Sequence, residues 1–226
     1  NSGYRHLDTA ELYQNEIGIG KGIKKAKNEI GLQREKVFIT SKVWPDKNYK
    51  ETLMALDKSL SRLKLNYLDL YLIHAPFDKN KRLEQWNALI DLKKHGKVKA
   101  IGVSNYGINH IKEIELKGLQ IPEANQIELH IWSAKKQLTT FLKSKKIKII
   151  AYSSLIPLSN WREKDGQNHF KTKEMIIDSS SKNSLLKEIA TKKNISEAQL
   201  LLKWAIKKNY AILPKSTTEY HLKENI

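Results

Sequence analysis

The sequence predicts an α/β fold on a parallel sheet, either a (β/α) barrel or an open doubly wound sheet. Three observations predict it. Short apolar runs alternate with helix-period segments through the whole chain. Several runs are nearly continuous in apolar and β-branched residues, as in Val37-Phe38-Ile39-Thr40 and Ile147-Lys148-Ile149-Ile150-Ala151. Parallel strands covered on both faces read this way. Each run also finishes in a polar or ionisable group, as strands whose C-terminal ends build one site do.

The runs fall at residues 5–9, 37–43, 68–74, 98–104, 123–129, 147–153 and 211–215. Between them lie amphipathic helices. One carries Leu53, Leu56, Leu60 and Leu63 at spacings of three and four. Another runs through Leu83, Trp86, Leu89 and Ile90 and stops at Gly96, a residue suited to a C-cap. A third opens at Ser196 with Gln199 three residues on, a capping box ahead of Leu200-Leu201-Leu202. Seven strands are visible, and a closed (β/α) barrel needs eight and about 250 residues. The first strand is therefore expected upstream of Asn1, and the chain is expected to stop inside a helix at Asn225-Ile226. Residues 155–183 break the rhythm, being long, polar and poorly periodic. A loop of that length is either a lid over a ligand or an excursion without function.

The 226 residues, 40% hydrophobic and 29% charged, suffice for one sizeable core, so a single domain over residues 1–226 is expected. Mean hydropathy is −0.56 and no apolar run reaches the length of a membrane span. The first residues lack both an initiator Met and an apolar signal region. Zero cysteines exclude a disulfide, a thiolate metal site and a Cys nucleophile, which fits a cytoplasmic protein. The net charge of +17 invites a nucleic-acid partner, but the lysines come in ones and twos (Lys24-Lys25, Lys93-Lys94, Lys145-Lys146, Lys192-Lys193, Lys207-Lys208). They mark outer helix faces and helix ends, and no basic stripe with interleaved aromatics appears. A solvated lysine-rich surface is expected, with no nucleic-acid or membrane partner, and an anionic small ligand is compatible with the charge.

In order, the strand ends offer Asp8, Lys42, His74, Ser104-Asn105, Gln126 with Glu128, Tyr152-Ser153 and Lys215-Ser216. Loops follow strands, so some polar ends are ordinary. Asp, Lys and His leaving three successive apolar runs are not so readily explained, and they favour a site at a barrel mouth. Tyr13 follows Asp8 by five residues. A phenol titrates near 10, too high for easy proton donation at neutral pH. An ammonium at Lys42 is expected to lower that value, with Asp8 as the counter-charge that keeps Lys42 protonated and fixed. His74 is placed to hydrogen-bond a carbonyl oxygen and orient it. Singly none of these residues makes the case, since a lone His after an apolar strand is more often a satisfied core histidine.

GYRHLDTAELYQNE (3–16), ITSKVW (39–44), YLDLYLIHAP (67–76), GKVKAIGVSNY (96–106), NQIELH (125–130), AYSSL (151–155) and LPKSTTEYHLKEN (213–225), in this order, resemble the aldo-keto reductase family over nearly the whole chain. The resemblance implies a (β/α)8 TIM barrel that reduces aldehydes and ketones with NADPH, less often NADH. It implies Tyr13 as general acid, Lys42 and Asp8 as tuners of its pKa, and His74 as substrate orienter. It implies Ser104, Asn105 and Gln126 on the nicotinamide carboxamide, Tyr152 stacked on the ring, and Ser153 and Leu155 near the pyrophosphate. Lys215, Ser216 and Thr217 would take the adenosine 2′-phosphate, Glu224 and Asn225 the adenine, and Trp44 would line the substrate pocket. A helix start after Lys215-Ser216 would add its dipole to that phosphate site.

The pattern departs from the family in places. His221 stands where NADPH-preferring members commonly carry an arginine, and a neutral imidazole lacks the guanidinium fork. NADPH with weakened discrimination against NADH is expected. Ala75 replaces a pocket tryptophan of some members and suggests a roomier pocket; Ser154 and Ile131-Trp132 are further replacements. The resemblance leads one to expect that the family's first barrel strand, part of its cofactor site and its C-terminal specificity loop fall outside residues 1–226. Gly18-Ile19-Gly20-Lys21-Gly22-Ile23 mimics a dinucleotide fingerprint, but it lies in a predicted helix with Ile23 at the final glycine position. His95, His110, His130 and His169 read as structural or surface residues, and no metal-ligand cluster occurs. A monomeric carbonyl reductase is the leading expectation. The rival is a barrel that binds the nucleotide as a sensor or regulatory subunit with little turnover.

Overall fold

The computed structural model describes residues 2–158 and 184–226. Beyond the first two residues, its contacts divide into two units, Gly3–Gln126 with Phe141–Ile147, and Ile127–Thr140 with Lys148–Ile226.

In the first unit β1 (His6–Asp8), β2 (Phe38–Val43), β3 (Leu68–Ile73), β4 (Val98–Ser104) and β5 (Ala124–Glu128, which crosses the boundary) alternate with helices. These are α1 (Glu16–Ile30), α2 (Tyr49–Leu63), α3 (Arg82–Lys94) and α4 (Ile108–Leu116). Consecutive strands pair in parallel, with Asp8 opposite Thr40, Thr40 opposite Leu70, Leu70 opposite Ala100 and Ser104 opposite Gln126. All six residues of β3 are buried, as a strand covered on both faces requires. Ile39, Val43, Leu72, Ile101 and Val103 fill the sheet, and Leu56, Leu60, Leu63, Trp86 and Leu89 cover it from the helices.

This sheet curls. Four strand spacings separate β1 from β5, about 19 Å in a flat sheet. Yet the Gln126 side-chain amide donates to the Asp8 carboxylate at 2.7 Å. The two ends of the five-strand run therefore face each other across a barrel interior. Of the two sheet types the sequence allows, only the barrel does this.

Local chemistry explains the element ends. Asn48 and Glu51 form a reciprocal capping box at the start of α2, with bonds of 2.9 and 2.8 Å. Gly96 closes α3 at φ 71°, the left-handed conformation that the missing Cβ permits. Gly18, Gly20 and Gly22 all lie in α1, as the dismissed fingerprint requires. Gly20 is there for packing: a Cβ would sit 2.5 Å from the Leu63 carbonyl oxygen of α2. The buried Glu16 carboxylate ties three elements, accepting from Ser41 of β2 at 2.7 Å and from Arg62 of α2 at 2.6 Å.

In the second unit β6 (Lys148–Tyr152) pairs in parallel with β7 (Ala211–Ile212). Here α6 (Leu185–Lys192), α7 (Glu197–Lys207) and α8 (Glu219–Glu224) follow, while α5 (Lys136–Ser144) straddles the boundary. Ser196 and Gln199 form the expected capping box on α7. The strand expected at 211–215 shortens to two residues, because Pro214 has no N–H to extend a ladder. Of the long segment 155–183, a 3-10 turn spans Ile156–Leu158, and the rest of that expected lid lies outside the described residues.

Candidate active site

Four side chains meet at the C-terminal ends of β1, β2 and β3. Lys42 is fully buried, and its ammonium donates to Asp8 Oδ1 at 2.5 Å and to the Thr9 carbonyl at 2.9 Å. It also reaches the Tyr13 hydroxyl at 3.4 Å. His74 Nε2 lies 3.5 Å from the same hydroxyl, and the two rings meet edge-on with centroids 5.5 Å apart. Tyr13 rides on a 3-10 turn, Glu11–Tyr13, that follows β1, so Asp8 and Tyr13 reach one point from successive pieces of chain. The Tyr13 residue is nearly half exposed, at 46%.

The electrostatics differ from the expectation in one respect. Burial, and then the Asp8 charge, push the Tyr13 phenol up to about 12 rather than down. Burial takes the phenol out of water and so disfavours its charged form, and the carboxylate nearby disfavours that form further. Burial also lowers Lys42, opposed by Asp8. Burial and the Lys42 charge hold His74 down to about 4, so its ring is neutral at pH 7. One layer deeper, His6 Nε2 lies 3.0 Å from the Thr40 hydroxyl, and burial lowers it too.

Beside the tetrad a set of amide and hydroxyl groups converges. Gln126 gives Asp8 its second hydrogen bond at 2.7 Å. Its backbone carbonyl accepts from Ser104 Oγ at 3.0 Å and from the Asn105 N–H at 2.9 Å. Asn105 sits exposed at φ 63°, a left-handed conformation that Asn tolerates, and its side chain donates to the Ser104 hydroxyl and the His74 carbonyl. Such a cluster of amide donors and acceptors is complementary to a carboxamide. Trp44 stands edge-on to His74, centroids 5.4 Å apart, and Phe77 stands edge-on to Trp44 at 5.9 Å. Phe77, 73% exposed, extends this aromatic wall and was not singled out from the sequence.

The remaining sequence-derived candidates lie in the second unit. Tyr152 ends β6, half-buried, followed by Ser153 at φ 56° and then Leu155. Lys215 is exposed. Ser216 Oγ accepts the Thr218 N–H at 3.1 Å, and the Thr218 hydroxyl lies 2.9 Å from His221 Nδ1. Thr217 is exposed between them. The helix dipole expected here is weak support for a phosphate, because α8 has six residues and opens on Glu219. Asn225 Nδ2 is buried without a hydrogen-bond partner, a donor that fits an acceptor atom of a base; Glu224 precedes it. Within the first unit Ser104, Asn105 and Gln126 fit a carboxamide, and within the second the unpartnered Asn225 amide fits an acceptor of a base.

Three supports of the site escaped the sequence reading. The Thr9 carbonyl on Lys42 is backbone and leaves no signal. The tie from Gln126 to Asp8 depends on curvature. Glu11, between Asp8 and Tyr13 in the same segment, could have been found as a carboxylate inside the site's own turn. It accepts the Trp44 N–H at 2.5 Å and pairs with Lys47 at 3.0 Å.

A tetrad of this geometry at parallel strand ends, beside a carboxamide-shaped cluster, defines a barrel reductase of carbonyl compounds. The aldo/keto reductase family profile matches residues 1–226, and the chain belongs to that family. It is 43% identical over 226 residues to a glyoxal reductase of Bacillus subtilis, covering 99% of this chain and 72% of the relative. It is 34% identical over 224 residues to a methylglyoxal reductase of Escherichia coli, covering 99% and 73%. Among solved structures, a Bombyx mori aldo-keto reductase in complex with NADP superposes at TM-score 0.86 and 31% identity, covering 99% of this chain and 73% of that one. One from Brucella melitensis gives 0.82 at 38% identity, covering 99% and 77%. The fold is accordingly the (β/α)8 barrel type of the family, the chain is an oxidoreductase of carbonyl compounds, and NADP(H) is its cofactor. No described helix is long and apolar enough to cross a membrane.

Proposed function

We propose that the chain reduces small aldehydes, α-dicarbonyls such as glyoxal and methylglyoxal first among them, to alcohols with NADPH, and that Tyr13 gives the proton. The observation that carries the proton role is the convergence of Lys42 and His74 on one phenolic oxygen, at 3.4 and 3.5 Å. The substrate class rests on the glyoxal and methylglyoxal reductases among the relatives.

When bound, the cofactor supplies a hydride to the carbonyl carbon. The protein's part concerns the oxygen. Neutral His74 donates a hydrogen bond from Nε2 to that oxygen and aims it at Tyr13. As negative charge builds there, the Tyr13 O–H breaks and the alcohol O–H forms. An alkoxide is about as basic as hydroxide, whose conjugate acid lies near 15.7 in bulk water, so even a phenol held near 12 gives its proton downhill. The phenolate left behind then gains the Lys42 ammonium, which Asp8 and the Thr9 carbonyl hold in place. In this reading Lys42 acts on the product phenolate more than on the resting phenol. Ser104, Asn105 and Gln126 would hold the carboxamide of the cofactor. In the second unit Tyr152 would offer a face to its ring, Ser153 and Leu155 would serve its pyrophosphate, Lys215, Ser216 and Thr217 its 2′-phosphate, and Glu224 and Asn225 its adenine. His221 replaces a permanent cation, so NADH is accepted to a degree. A monomer in the cytoplasm completes the proposal, checked by light scattering and cell fractionation.

The test compares wild type with Tyr13→Phe on glyoxal and methylglyoxal, with NADPH and then NADH. Loss of the proton donor lowers kcat about 10²- to 10⁴-fold, while NADPH affinity stays within about twofold. Turnover at the wild-type rate in the variant overturns the mechanism, and a strong NADH preference in the wild type overturns the cofactor assignment.

A further inference from the structure

Trp44 belongs to the loop that follows β2, and loops hold their side chains less firmly than strands do. Here the peptide groups on both sides of Trp44 are fastened. Its N–H donates to the Glu11 carboxylate at 2.5 Å, and its carbonyl accepts from the Gln85 side-chain amide of α3 at 2.9 Å. Gln85 is fully buried, and Glu11 keeps only 17% of its side chain exposed. The same Glu11 oxygen pairs with Lys47 at 3.0 Å, and Lys81 donates to the Asp46 carbonyl at 2.6 Å. Residues 44–47 are thereby cross-tied to the Tyr13 turn on one side and to α3 on the other. None of these ties touches the Tyr13 hydroxyl, Lys42 or Asp8.

We propose that Glu11, with Gln85, is a positioning residue that sets substrate affinity by fixing Trp44 against His74. Glu11 lies two residues before Tyr13 on one 3-10 turn, so a single short piece of chain carries the proton donor and holds the opposite wall of the pocket. The edge-on contact of Trp44 with His74 is the geometry this clamp preserves. A carboxylate suits the task because it accepts from a peptide N–H and an ammonium together, and charge-assisted bonds are the stronger ones. Lys47 is spent on Glu11 and Asp46, which directs its charge to the loop. The inference rests on Trp44 lining the substrate pocket of the proposed carbonyl reductase.

The experiment uses the full-length protein and two uncharged probes, methylglyoxal and 4-nitrobenzaldehyde. Glu11→Ala raises KM for both about five- to twentyfold with kcat within about twofold, because uniform binding is lost and the proton donor is untouched. Glu11→Gln keeps an acceptor for the Trp44 N–H and returns KM to within about threefold of wild type. Gln85→Met, which cuts the other tie, raises KM in the same direction and decides the matter should Glu11→Ala fail to fold. Unchanged KM in Glu11→Ala, or a fall in kcat with a displaced pH profile, overturns the proposal. A readout without turnover separates this from failure of the reductase reading. The emission of Trp44, isolated by subtracting the Trp44→Phe spectrum, becomes red-shifted and more easily quenched by acrylamide in Glu11→Ala. An unaltered Trp44 emission overturns the clamp whether or not the protein reduces anything.

Discussion

Asp8→Asn isolates what a buried ion pair does for this site. The change keeps the side chain's shape and removes its charge. Lys42, with no exposed surface, loses its counter-charge and keeps only neutral acceptors: an amide oxygen in place of the carboxylate, the Thr9 carbonyl at 2.9 Å and the Tyr13 hydroxyl at 3.4 Å. Removing one partner of a buried pair costs about 3–5 kcal/mol. Because Asp8 retains 12% exposure, the lower end, about 3 kcal/mol, applies. For a chain of this length that lowers the melting temperature by roughly 6–12 °C at pH 7. The pH dependence identifies the cause. Burial already lowers Lys42 below its ordinary 10.5, and losing Asp8 removes what opposes that shift. Between the folded and unfolded values the unfolded chain holds the extra proton, so stability rises with pH. The deficit of the variant relative to wild type should therefore shrink between pH 7 and about 9.5. Melting curves followed by circular dichroism at both pH values provide the measurement. A deficit that is absent, or equally large at both, refutes the argument that an unpaired Lys42 charge is responsible.

Two further outcomes follow from the same structure. His74 is held near 4 against an ordinary 6.5, so its contribution to stability is complete above 6.5 and is lost as pH falls toward 4. Melting temperature should fall over that window, and less steeply in His74→Asn, with His6 contributing in the same direction; an identical acid dependence in the variant dismisses His74 as a source. In α1, Gly20→Ala drives a Cβ to 2.5 Å from the Leu63 carbonyl and should cost about 1–2 kcal/mol net of helix propensity. Gly18→Ala and Gly22→Ala meet open space and should stabilise by about 0.5–1 kcal/mol each, so urea unfolding of the three variants tests the close approach of α1 to α2.

Much of this architecture is legible in the residues. The strand positions agree to within a residue or so through β6, because parallel strands buried on both faces write continuous apolar runs. The last strand was read too long because Ala211-Ile212-Leu213 looks continuous, and Pro214 decides where the ladder stops. Asp8, Lys42 and His74 were legible because each leaves an apolar run, and Tyr13 because it follows Asp8 by five residues. The electrostatics of the tetrad were not. Whether a phenol beside an ammonium goes down or up depends on how far it is buried and on what other charge is near, and here burial, then Asp8, raise Tyr13. The Asn48–Glu51 capping box was visible in the sequence and passed over. The Glu11 clamp needed the position of Trp44's N–H, which no side-chain pattern records.

The hydrogen bond between Gln126 and Asp8 joins residues 118 apart in sequence. Closed in one step, a free loop of that length costs about 4 kcal/mol of entropy, far more than one hydrogen bond returns. The strand order removes that obstacle. Thr40 finds Asp8, Leu70 finds Thr40, Ala100 finds Leu70 and Ala124 finds Gly102, each over roughly thirty residues or fewer. Every pairing shortens the span left for the next, so this distant contact is reached through a series of local ones. The carboxylate that steadies Lys42 receives its second donor only when the fifth strand docks. Assembly of the proton-handling centre and docking of the fifth strand are thus one event, and a chain stopped at four strands carries an unfinished active site.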